Sequence, residues 1–196
     1  MTPDLILHIF SLFIFCLVLA ALEVQIEGEA GWASNLPTWR PRQNAWHSRF
    51  YRKIMSGRDL TGYHLFIFSL VLFFLHYPYF VNQSWSFSSE LTTLSFAFLV
   101  IVVWDFLWFV INPKYDFRHF WAQHVWWHKK WFLHLPVDYW FGFLLSAIFY
   151  MKLSLDWALL KEWLAIFVLI LFLTLIVIII ANAAGVFRLK KNDNKK

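Results

Sequence analysis

Residues 163–181 limit the possible folds of this chain more than any other segment, because Thr174 is the one polar side chain deep within them. As a helix, at about 1.5 Å per residue, the run is about 28 Å long, close to the roughly 30 Å of a bilayer's hydrocarbon core. Three comparable runs occupy residues 5–22, 63–81 and 91–111, and a shorter one occupies 139–153. In hydrocarbon every backbone polar group must be satisfied internally, which leaves helices or closed barrels, and long unbroken apolar runs are the helical signature. The expected fold is therefore all-α: a polytopic membrane protein of about five transmembrane helices with one or two cytoplasmic interfacial helices, in a single domain over residues 1–196. Composition agrees, since 60% of the 196 residues are hydrophobic, 22% aromatic and only 15% charged. That balance excludes a soluble domain and a disordered chain. Cys16, the only cysteine, excludes a disulfide scaffold. The first run lacks a basic leader and is too long for a signal-peptide core, so it is expected to remain in the mature chain.

Lysine and arginine between the spans set the expected orientation. Six lie in the loop over 23–62, four in the loop over 112–138 and five in the tail over 182–196, leaving only Lys152 and Lys161 for the opposite side. The N-terminus is expected outside and the C-terminus in the cytoplasm, in the inner membrane for a bacterial source. The net charge of +5 then reflects residues beside anionic lipid headgroups, the expected partners, and no nucleic acid is implied.

Two loop segments are expected to lie on the membrane. Within residues 41–56, Trp46, Phe50 and Ile54 recur every four positions among Arg42, Arg49, Arg52 and Lys53, the pattern of a basic amphipathic helix. Over residues 116–131, a helical period places Phe117, Phe120, Trp121, His124, His128 and Trp131 on one face. Two histidines at i and i+4 in an aromatic face each need a hydrogen bond, a carboxylate or a metal.

Polar residues at one depth in the cytoplasmic leaflet supply the candidate chemistry. Asp105 lies inside a span, where an unpaired carboxylate costs about 2.5–3.5 kcal/mol to insert. Glu23 and Glu27 share a helical face at the end of the first span, where mutual repulsion and the helix dipole both act against them unless a cation compensates. Together with His124 and His128 they form a mixed carboxylate and imidazole set suited to iron, manganese or zinc. His64 and Asp138, at the starts of the second and fourth spans, are expected to orient those ligands or carry protons. The His124-x-x-x-His128 pair is similar to a histidine box of membrane-bound fatty-acid desaturases and hydroxylases. Their paired box His-x-x-His-His is absent, so the chain is not assigned to them.

Three functions follow as expectations. The first is a membrane metalloenzyme acting on a lipid or other hydrophobic substrate, by oxidation of the non-haem iron type ahead of metal-assisted hydrolysis. The second is a non-catalytic integral subunit or assembly partner, in a homo-oligomer or with another membrane subunit, whose buried polar residues join helices. The third is a b-type haem protein, with His8 and His76 in the outer leaflet as axial ligands. No G-x-S-x-G elbow or phosphate-binding glycine loop occurs, and Cys16 sits within an apolar run, so hydrolysis would need a metal.

Overall fold

The computed structural model describes residues 1–28, 31–55, 57–115, 120 and 124–186. Four helices are long and apolar enough to cross a membrane: α1 (Pro3–Glu27), α3 (Gly62–Val81), α4 (Phe87–Ile111) and α6 (Trp157–Ala183). Between them lie the nine-residue α2 (Trp46–Ile54) and the fourteen-residue apolar α5 (Val137–Tyr150). The protein is thus an all-α polytopic membrane protein, and its apolar helices are compatible with integral insertion.

The helix starts follow local chemistry. Thr2 accepts a hydrogen bond from the Leu5 amide ahead of Pro3, Ser86 and Ser89 form a reciprocal capping box, and Asp156 accepts from the amides of Ala158 and Leu159. α4 is the central helix, buried along most of its apolar length, whereas α1, α3 and α6 bury a third or less of theirs. On α6 the exposed side chains include Val168, Leu171, Phe172, Leu175 and Ile179, a continuous apolar face that suits lipid.

α1 and α4 run parallel, and their ends are tied together. The carbonyl of Gly28, left without an intrahelical partner at the end of α1, accepts a 2.7 Å hydrogen bond from Asn112 Nδ2 at the end of α4. α5 returns antiparallel along α4. Gly142 makes the approach possible, because a Cβ there would collide with Val102 Cγ2. Ser146 Oγ then lies 3.0 Å from Ser95 Oγ and accepts from Trp163 Nε1 at 2.9 Å, linking α4, α5 and α6. Gly142→Ala is expected to lower stability by about 1–3 kcal/mol through this overpacking, read as a lower unfolding temperature in detergent.

The structure departs from the sequence reading in two places. The fourth span, expected over 139–153, ends at Tyr150, and Lys152 and Leu153 adopt φ of 58° and 60° in the turn that follows. Its fourteen residues span about 21 Å, short of a full crossing. The helix expected over 116–131 falls partly outside the described residues, at 116–119 and 121–123. From residue 124 onward the chain is turns leading into a two-stranded hairpin, β1 (Trp131–Phe132) and β2 (Leu135–Pro136). Leu133 and His134, at φ 45° and 65°, form its tight turn. With no helix through 124–128, His124 is exposed while His128 is buried, so the two do not share a face. The basic tail from residue 187 also lies outside the described residues.

Candidate metal centre

The C-terminal ends of α1 and α4 and the N-terminal ends of α3 and α5 meet at one end of the bundle, and that meeting brings six of the expected residues together. Glu23 and Glu27, one turn apart on α1, point toward His64 in the first turn of α3. One donor atom from each of the three lies within 4.8 Å of the others. Glu27 Oε1 is 3.8 Å from His64 Nε2 and accepts a 2.6 Å hydrogen bond from the Ala33 amide. The backbone that delivers this amide bends sharply: Gly31, Trp32 and Ala33 all have φ between 48° and 62°. At Gly31 a Cβ would lie 2.7 Å from the Trp127 indole, so glycine is required there twice over.

His64 is held from three sides. Its Nδ1 is 2.7 Å from Oγ1 of Thr61, the residue that caps α3 and also accepts from the His64 amide. With Nδ1–H donating to that oxygen, Nε2 keeps its lone pair for a cation. The imidazole stacks on Trp32 at 4.0 Å, and the Arg58 guanidinium covers the same indole at 4.4 Å. Trp32 is itself anchored by a 2.9 Å bond from Nε1 to the Asp59 carbonyl.

A second polar group adjoins the first. His128, only 3% exposed, bridges two carboxylates: Nε2 is 3.1 Å from Asp105 Oδ2, and Nδ1 is 3.3 Å from Asp138 Oδ2. Arg58 donates to the same Asp138 oxygen at 2.7 Å, and the Tyr139 hydroxyl donates to Asp105. Burial works against a charged His128, but the Asp105 charge and the hydrogen bonds that the imidazole donates to both carboxylates outweigh it and Arg58, holding the imidazole above its ordinary range. Asp105 therefore pairs with His128 and Tyr139 and stands beside the Glu23, Glu27 and His64 set, with His64 in the ligating position expected of Asp105.

Both groups line one cavity of about 560 Å³. Its other walls are apolar, supplied by Phe68, Phe98, Ile101, Val102, Phe141 and Leu145. Several buried donors on the lining make no full hydrogen bond. Among the described residues Trp108 Nε1 and the Tyr51 hydroxyl have no acceptor, and Trp104 Nε1 interacts with Glu23 without reaching full bonding geometry. Burial pushes the Tyr51 phenol up to about 12, with Arg58 opposing the shift. Buried unpaired donors beside carboxylates are atoms that an oxygen-bearing ligand or water would satisfy.

The remaining candidates lie elsewhere. His124 is exposed and outside the three-residue group. His76 places its ring nitrogens on the Leu72 carbonyl at 2.7 Å and on Glu90 Oε1 at 3.0 Å. His8 packs edge-on against Phe96. Sequence reasoning missed Arg58, Trp32, Thr61, Trp104, Trp108 and Tyr139. Arg58 reads there as one of six loop charges, although the turn signal of Gly31 and the cap signal of Thr61 are visible.

No protein-family model matches the chain, and no curated protein or solved structure is significantly similar to it.

Proposed function

We propose that this protein is a membrane-embedded metalloenzyme acting on a lipid or another hydrophobic substrate at the cytoplasmic leaflet. The reading rests on one observation: Glu23, Glu27 and His64 offer donor atoms within 4.8 Å of one another at the polar end of a cavity with apolar walls. Three protein ligands leave positions open for water, dioxygen or substrate. Two carboxylates and one imidazole suit iron or manganese better than zinc, and oxidation of an acyl or isoprenoid chain by an iron centre leads on that donor set. His128 supports a second reading, metal-assisted hydrolysis, because an imidazole on the cavity wall between two carboxylates can pass a proton to a leaving group once substrate displaces one of them. The cytoplasmic placement rests on the basic loop over 23–62, which adjoins the site, and on the positive-inside rule.

Protein produced with iron, manganese and zinc supplied, and purified in mild detergent, is expected to carry one metal ion per chain by elemental analysis. Iron would direct the search to dioxygen-dependent oxidation, and zinc to hydrolysis. The reading fails if folded, monodisperse protein takes up none of the three. Metal-free protein that copurifies with another integral subunit would establish the assembly role instead.

A further inference from the structure

The shape of the cavity carries an inference about what enters it. α3 and α5 both pack on α4 but make at most marginal contact with each other. The surface of α4 between them carries Phe98, Ile101, Val102 and Asp105, spaced as one helical stripe, and all four line the cavity. Phe98 on α4 and Leu145 on α5 each lie seven residues from Asp105 and Asp138 respectively, about 10 Å toward the far end of the bundle. The cleft therefore runs from the polar cluster into the depth of the bilayer. Its edge residues face outward: Phe141 is 59% exposed and Ile101 36%.

The polar end restricts the occupant. The cavity lining carries four carboxylates, Glu23, Glu27, Asp105 and Asp138, against Arg58 as its one arginine or lysine, a balance that does not favour a phosphate. Among the described residues the lining groups without a full hydrogen bond are donors instead: the indole N–H of Trp108, 3% exposed, the Tyr51 hydroxyl, and the indole N–H of Trp104, which has only Glu23 beside it. Neutral oxygen acceptors such as hydroxyl, carbonyl or ester match them.

We infer that the cleft between α3 and α5 is a lateral portal for a lipid with an uncharged, oxygen-bearing polar end. The chain lies along Phe98, Ile101, Phe141 and Leu145, and the polar end meets the indole and phenol donors beside the metal-ligand cluster. This deepens the metalloenzyme reading and rests on it only for the chemistry that the polar end would meet there.

The test uses the full chain in phosphatidylcholine vesicles with two photoreactive probes, hexadecanol carrying a diazirine in its chain and the phosphate monoester of the same molecule. Mass spectrometry of the labelled peptides is expected to place the alcohol on cleft residues of α4 and α5 at least tenfold more than the phosphate. Leu145→Trp, which fills the cleft away from the polar cluster, is expected to reduce that labelling at least fivefold with metal content unchanged. Should Leu145→Trp fail to fold, Ile101→Trp, at an already exposed position, makes the same measurement. Equal labelling by the phosphate, or alcohol labelling of Val168, Leu171 and Leu175 on α6 as strong as in the cleft, overturns the proposal. Protein that holds metal yet labels indiscriminately removes the portal alone. Selective cleft labelling in metal-free protein removes the metal reading and supports the portal.

Discussion

A His64→Gln chain is expected to lose its bound metal during purification, with affinity reduced a hundredfold or more and turnover of the hydrophobic substrate falling with it. Structural metal sites with four ligands are worth about 10–16 kcal/mol, so one ligand accounts for about 3 kcal/mol, or about two powers of ten. Glutamine fills nearly the same space and can still bond Thr61, which separates loss of ligation from loss of fold. Glu27→Gln should behave alike, because its remaining carbonyl oxygen can keep the 2.6 Å bond from the Ala33 amide. Thr61→Val removes the support of His64 Nδ1 together with the α3 cap: metal affinity is expected to fall about 10–100-fold, whereas Thr61→Ser, which keeps both bonds, restores it. Unchanged metal content in both His64→Gln and Glu27→Gln would mean that the ion, if bound, sits elsewhere.

The second large effect is expected at His128. Its removal in His128→Ala leaves Asp105 and Asp138 facing each other without the cation between them, and breaking a buried ion pair in this way costs about 3–5 kcal/mol. Tyr139 still donates to Asp105 and Arg58 to Asp138, and both carboxylates are only part-buried, which places the loss below that range, at about 2 kcal/mol, measurable by denaturant titration in mixed micelles. The pH dependence has a definite sign. His128 is held above its unfolded value, so its contribution is complete below about pH 6.5 and is lost as pH rises through the folded value. As pH rises above about 6.5 the parent protein should lose more stability than His128→Ala, because only the parent gives up the His128 contribution. Equal pH profiles for the two chains would contradict the bridge between the carboxylates.

The long helices were legible because their apolar runs match a physical length, and α2 because Trp46, Phe50 and Ile54 keep a helical period among basic residues. The end of α5 was less so, since Met151, Leu153 and Leu155 continue the hydrophobicity while the backbone turns at Lys152 and Leu153. Periodicity also misled over 124–128, where His124 and His128 carry helical spacing in a segment of turns. Which carboxylate stands next to which imidazole was not readable at all. Insertion energetics mark Asp105 as needing a partner, but only three-dimensional packing decides that His128 and Tyr139 supply it and that His64 faces the two glutamates.

The pairing of the first long helix with the fourth element of the chain has a consequence during synthesis. The Gly28 carbonyl waits for Asn112, 84 residues later, which at about 5–20 residues per second amounts to about 4–17 s on the ribosome. Through most of that interval Glu23 and Glu27 are already in the membrane while their neighbours on α4, Trp104 and Asp105, are still to be made. The speed of translation through that stretch then sets how long two acids remain open to insertase and protease surveillance.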